Sequence, residues 1–277
     1  MNAAPSPIRI EDPSDTRIAA FMSIKERDLT GRQGRFIAEG TVVLRMLAAA
    51  HRSGCGVAAE AILLLENRLA GLAELLVQFP FDVPVFVADA RVFDAIAGFN
   101  MHRGVLALGR SDTMPRRDAL LAALPANSLV LAACGISNHD NMGSLFRNAA
   151  AFGVDAVLMD ASSCDPMYRK SIRVSVGSVL TLPFAREGTA AELIGRLQAA
   201  GFAIWGLSPR GEIDVAEIPP APRTALLVGT EGEGLPEAIL SAVRTARIRQ
   251  RSGLDSLNVA MAAGIALHQV ASANGRI

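Results

Sequence analysis

Apolar positions along the chain fall into short runs of strand length that alternate with stretches of helical period. Residues 1–16 are rich in Pro, Asp and Ser and predict a loose tail. Helical stretches at 42–50, 70–77 and about 91–97 are interleaved with strand-like runs at 61–65, 85–88 and 104–108, which predicts a small α/β domain. Apolar patterning then lapses over residues 111–127, read as a linker holding one short helix. A second α/β series opens at Ser128. Its first run, 129–133, is wholly apolar, as in a strand covered on both faces. A helix at 142–152 and a strand at 154–159 follow, then an apolar stretch at 174–182 with Ser and Gly inserted. Next come a helix at 190–200, strands at 202–207 and 225–228, a helix at 236–243 and a closing helix at 256–272. The pattern predicts an α/β protein of two domains, 1–110 and 128–277, without internal repeats.

Composition narrows the picture in a few places. Of 277 residues 51% are apolar and only 5% aromatic, so Ala, Leu and Val must build most of the core. Basic and acidic residues balance at 27 each, so any basic patch is local and net charge neither supports nor excludes nucleic acid. All basic residues except Lys25 and Lys170 are Arg, which suits phosphate and stacking contacts but also follows from a GC-rich genome. Arg17, Lys25, Arg27, Arg32 and Arg35 cluster with Glu26 and Asp28, as a phosphate-contacting segment or as a solvated face. Cys55, Cys134 and Cys164 lack C-x-x-C spacing, against a disulfide framework or zinc site and in keeping with a reducing compartment. His51, His102, His139 and His268 show no metal-ligand spacing, and no metal is expected. There is no leader pattern at the N-terminus, and the longest apolar stretch, 257–270, is too short to span a bilayer. A cytoplasmic protein is expected.

Three segments carry candidate chemistry. Gly229-Thr-Glu-Gly-Glu-Gly-Leu-Pro236 leaves an apolar strand and enters a helix whose first turn suits Pro236. It matches neither dinucleotide nor Walker pattern, and Glu231 and Glu233 would repel a pyrophosphate; a ligand with a positive centre and hydroxyls fits better. The plain alternative is a surface turn with solvated acids. Asn138-His-Asp-Asn-Met-Gly-Ser-Leu-Phe-Arg147 follows a buried-type strand, where open α/β sheets bind ligands. There Asp140 or Asn141 is expected to cap the helix, and the alternative is an ordinary capped helix with a solvated Arg147. Asp255-Ser-Leu-Asn-Val259 opens the last helix, with Asp255 or Ser256 expected as cap and Asn258 judged ill placed for it. That helix is apolar on most faces and rich in small residues, so it is central to the domain or a subunit contact.

Together these segments resemble the motifs of SpoU/TrmH-type RNA 2'-O-methyltransferases of the SPOUT superfamily. Asn141, Gly143, Arg147, Ala149, Phe152 and Gly153 fall into register with the first motif. Gly229, Glu231, Gly232 and Gly234 match the second, and Ile248 with Ser256-Leu-Asn-Val259 the third. Arg173-Val-Ser-Val-Gly-Ser178 is similar to the family's central segment. The stretch Arg35-Phe-Ile-Ala-Glu-Gly40 carries a weaker resemblance to the substrate-binding extension of many members. The family's I-P-M is here Ile248-Arg249-Gln250, a departure within the cofactor loop.

The resemblance implies a knotted, parallel-sheet methyltransferase domain over 128–277, a smaller N-terminal RNA-binding α/β domain over 1–110, and a homodimer. It implies S-adenosyl-L-methionine held through Gly229, Ile248 and Leu257, and a site ordered by Glu231, Ser256 and Asn258. Asn141 and Arg147 would face the target ribose of a ribosomal or transfer RNA. Two competing readings stand: a catalytically silent RNA-binding protein whose cofactor loop is degraded at Arg249-Gln250, and a nucleotide-dependent α/β enzyme. The acidic glycine loop opposes the second.

Overall fold

The computed structural model describes residues 6–22, 34–97, 104–111, 115–230, 232–251, 253 and 257–277. The chain divides into two compact units, one formed by Met1–Thr113 with Met167–Thr181, the other by Met114–Pro166 with Leu182–Ile277. The sequence boundary at 111–127 is thus close to one crossing point, and 167–181 is grouped by packing with the first unit.

The first unit holds β1 (Ile8–Ile10), β2 (Arg35–Glu39), β3 (Val57–Leu65), β4 (Val85–Ala88) and β5 (Val105–Ser111). They form one sheet in the order β1-β4-β3-β5-β2; β5 runs antiparallel to both β3 and β2, and the other pairs are parallel. Helix α1 (Thr41–Ser53) buries Val43, Leu44, Leu47 and Ala48 and stops at Gly54, which takes the left-handed conformation that ends many helices. Helices α2 (Leu69–Leu76) and α3 (Ala90–Ala97) follow. Leu63 and its neighbours Ile62 and Leu64 are all fully buried, so β3 is covered on both faces and reads as a continuous apolar run.

The loose tail expected over 1–16 is corrected for its described part, residues 6–16. Ile8–Ile10 pairs in parallel with β4, Asp15 caps a 3-10 turn at Thr16–Phe21, and Ile10, Ile18 and Phe21 are buried in one cluster. Three residues are too few to show a period; pairing to an existing edge and burial of isolated apolar side chains hold them. Of the basic cluster, Arg17 pairs with Asp15 at 2.5 Å and Arg35 with Glu60 at 2.7 Å. The Arg17 hydrogen bonds hold the half-buried Asp15 carboxyl down at about 2. Lys25, Arg27 and Arg32 lie outside the described residues.

In the second unit seven strands are all parallel: β6 (Ser128–Ala133), β7 (Ala156–Met159), β8 (Phe184–Arg186), β9 (Ala203–Leu207), β10 (Ile213–Asp214), β11 (Arg223–Val228) and β12 (Arg244–Arg247). Their order is β10-β12-β9-β11-β6-β7-β8. Helices α4 (Arg117–Ala123) and α5 (His139–Ala151) flank β6 in sequence, α6 (Arg169–Val174) belongs to the first unit, and α7 (Ala190–Ala199), α8 (Glu237–Leu240) and α9 (Val259–Ala273) complete the order. Leu120, Leu193, Leu197 and Ile239 from α4, α7 and α8 pack with Val130, Ala132, Ala225 and Leu227 on one face. The alternate residues Leu129, Leu131, Leu226 and Val228 are equally buried, and α9 packs with α5 and with β11. The all-apolar run after Ser128 is therefore a strand with no solvent face.

The topology fixes where a ligand site can form. After β6 the chain proceeds through α5 to β7 on one side, whereas after β11 it proceeds through α8 to β12 on the other. Adjacent parallel strands whose connections diverge leave a crevice at their carboxyl ends. Of the loops that open there, residues 229–236 are one of the three motif segments, and residues 134–138 lead into another, which begins at Asn138 and continues along α5.

Candidate active site

The glycine-rich loop is a closed turn. Thr230 and Gly234 exchange backbone hydrogen bonds of 3.2 Å each way, and Gly234 sits at φ +73°. A Cβ on Gly229 would lie 2.4 Å from the Gly234 carbonyl carbon and oxygen, so only glycine lets the loop fold back on its strand. Pro236 becomes the cap residue of α8, one position before the helical turn expected for it, and α8 ends at Leu240, not near 243.

Beside this loop lies a cavity of about 730 Å³. Gly229, Ile248 and Leu257, from three separated segments, line it together with Leu207, Ser208 and Gln250. Glu231 and Ser256 lie outside the described residues.

Asn258 corrects a sequence expectation. The last helix begins at Val259, not near 256, and Asn258 is its cap: Oδ1 accepts the Ala260 N–H at 3.0 Å and the Met261 N–H at 3.3 Å. Its Nδ2 donates to Asn141 Oδ1 at 2.9 Å, which joins the first and third motifs across 117 positions of sequence. Asn141 is buried in the first turns of α5, whose cap is Asn138 rather than Asp140 or Asn141, because the helix starts at His139. A second tie between the same helices is Asn148 Nδ2 donating to the Ala260 carbonyl at 2.7 Å.

Arg147 is exposed and, among the described residues, has no hydrogen bond or ion pair. Six residues along a helix separate it from Asn141 by roughly 9 Å of rise and about 120° of rotation. The structure thus brings Asn141 to Asn258 and leaves Arg147, without a partner among the described residues, on another face of α5.

Sequence reasoning missed the clasp behind the first loop. The buried Asp160 carboxylate, at the end of β7, accepts the Gly135 N–H at 3.0 Å, the Ser163 N–H at 3.1 Å, and the hydroxyls of Ser162 and Ser163 at 2.6 and 2.7 Å. Cys164 N–H donates to the Ile136 carbonyl at 2.7 Å. These bonds fasten the loop that leads into α5. Burial, with the Asp160 charge adding, pushes the Cys134 thiol up to about 12, so it is no nucleophile at neutral pH. Among the described residues no group of acidic, His and Cys side chains is arranged to hold a metal ion. None of the described helices is long and apolar enough to cross a membrane.

A parallel α/β unit with an open cavity beside its switch point, lined by a glycine loop and by the segment ahead of the last helix, defines a ligand-binding α/β fold. The model of the SpoU rRNA Methylase family matches residues 128–268, and the chain belongs to that family. An uncharacterized tRNA/rRNA methyltransferase of Mycobacterium tuberculosis is 35% identical over 271 residues, spanning 93% of this chain and 89% of that one. A 23S rRNA (guanosine-2'-O)-methyltransferase of Bacillus subtilis is 29% identical over 162 residues, or 56% of this chain and 65% of its own length. The AdoMet-bound rRNA methyltransferase structure from Sinorhizobium meliloti superposes with a TM-score of 0.77 at 22% identity, covering 95% of this chain and 97% of that one, a likeness of fold.

Proposed function

We propose that this chain transfers a methyl group from S-adenosyl-L-methionine to a ribose 2'-hydroxyl of ribosomal or transfer RNA. The observation that carries the reading is the cavity in which Gly229, Ile248 and Leu257 meet, with Asn258 between the lining residues Leu257 and Val259 and bonded to Asn141. The cavity suits the cofactor chemically. Leu207, Ile248 and Leu257 offer apolar surface to adenine, Ser208 and Gln250 offer polar groups to ribose and amino acid, and Glu233 favours a positive centre over a phosphate. The ribose 2'-O assignment takes support from the Bacillus subtilis relative.

In this reading the backbone of Gly229, Ile248 and Leu257 holds the cofactor, while Glu231, Ser256 and Asn258 order the site by hydrogen bonds. The bound cofactor supplies an electrophilic methyl group on a sulfonium. Asn141, hydrogen-bonded to Asn258, faces the target ribose in this reading. The role given to Arg147, exposed on α5, is a clamp on the phosphate beside the target ribose that also steadies charge emerging on the 2'-oxygen. The knotted threading of the C-terminal segment, a cytoplasmic location and a homodimer built on α9, whose Met261 and Ile265 are exposed, belong to the same proposal.

The test is incubation of the purified chain with methyl-labelled cofactor and ribosomal or transfer RNA, followed by mapping of alkali-resistant 2'-O-methyl positions. Label in RNA at such positions is the expected result. Cofactor binding without label in either RNA refutes the assigned substrate, and no cofactor binding refutes the site.

A further inference from the structure

Past β12 the chain borders the cavity through Ile248 and Gln250, with Arg249 between them. This stretch belongs to no strand or helix. Among the described residues its only hydrogen bonds and ion pairs are those of the Arg249 side chain. Arg249 Nε lies 3.2 Å from Asp214 Oδ2, and a terminal guanidinium nitrogen lies 3.2 Å from Glu217 Oε1.

Both carboxylates are already held. Asp214 Oδ1 accepts the Ala216 N–H at 2.9 Å, and Glu217 Oε2 accepts the Asp214 N–H at 3.0 Å, a reciprocal cap around the turn Val215–Glu217. Each therefore spends one oxygen on the turn and offers the other to Arg249. The receptor for the guanidinium is preorganised, and little side-chain entropy on the acidic side is lost when the pair forms. Two acidic groups facing one cation also leave a net negative cluster when Arg249 is removed, which gives the segment no reason to stay near the turn.

We propose that Arg249 is a positioning residue: its clasp on Asp214 and Glu217 holds Ile248 and Gln250 against the cofactor cavity. The inference rests on the function proposed above. The Arg249 side chain is 71% exposed, so the clasp is open to screening, and cofactor affinity inherits a dependence on salt.

The experiment is calorimetric titration of the full chain with S-adenosyl-L-methionine and with S-adenosylhomocysteine at low and high sodium chloride, for wild type, Arg249→Ala, Arg249→Lys and Glu217→Gln. Arg249→Ala is expected to raise Kd about two- to fivefold at low salt, the range of a partly exposed ion pair, and to bring wild type and variant together at high salt. Arg249→Lys should recover part of the loss, and Glu217→Gln should show a smaller loss of the same salt character. Wild type that binds while Arg249→Ala keeps the wild-type Kd at both salts overturns the inference and leaves the proposed function standing. A loss that is equal at both salts overturns the electrostatic clasp. A wild-type chain that binds neither ligand overturns the site reading, and this inference with it.

Discussion

Asn258→Ala removes three hydrogen bonds from one amide. Two of them cap α9, and an alanine in place of an Asn cap costs about 1 kcal/mol. The third is the hydrogen bond to Asn141 Oδ1, buried on α5, and losing one such bond costs about 0.5–1.5 kcal/mol. The variant should therefore lose about 1.5–2.5 kcal/mol of stability in the second unit, read by urea unfolding. Leu257 borders the cavity directly ahead of the cap, so freeing that turn should weaken S-adenosyl-L-methionine by roughly 1–3 kcal/mol in calorimetry. Asn258→Ser separates the two effects, because serine caps about as well as asparagine but gives up the amide donor to Asn141. It should keep most of the cap energy and still lose the link between the motifs. Unfolding of Asn258→Ala within 0.5 kcal/mol of wild type, taking about that as the noise of an exposed substitution, refutes the reasoning. Normal cofactor affinity with failed methylation moves Asn258 to the catalytic side.

Three further outcomes follow from the geometry. Arg147→Ala removes an exposed side chain with no partner among the described residues, so unfolding and cofactor affinity should hold while single-turnover methylation falls on the order of 10²–10³; a wild-type rate removes Arg147 from the chemistry. Gly229→Ala forces a Cβ to 2.4 Å from the Gly234 carbonyl and should abolish cofactor binding in calorimetry, and retained affinity would show that the loop is not the cradle. Cys134, held neutral up to about 12 against an ordinary 9.0, should resist thiol reagents at pH 8 while the exposed Cys55 reacts. The unfolded thiol ionises first, so its stabilising effect is full below pH 9 and declines from there to about pH 12, by at most about 1.4 kcal/mol per pH unit; urea unfolding against pH for Cys134→Ala should lack that decline.

Much of the second unit was legible because its strands are buried on both faces. A run such as 129–133 has no polar register to confuse, and the helices between such runs show their own period. The glycines at 229 and 234 were legible for a local reason: a turn that folds back on its strand excludes Cβ, whatever surrounds it. The family motifs pointed to the residues that line the cavity. By itself, then, the sequence determined the α/β class, the order of most elements and the identity of segments that line the cavity.

Tertiary structure decided what depends on partners distant in sequence. Strands β1, β10 and β12 are two to four residues long and hold by pairing to a neighbour, so no period announces them. Asn258 looked misplaced while its helix was thought to begin near 256; the start at Val259 makes it both cap and donor to Asn141. Arg249 reads in sequence as a lost proline, and only the fold brings Asp214 and Glu217 to its guanidinium. The physical reason is common to all three. Hydrophobic periodicity is a property of neighbouring residues, whereas a hydrogen bond or ion pair between residues far apart in sequence exists only once the sheet has set the distance.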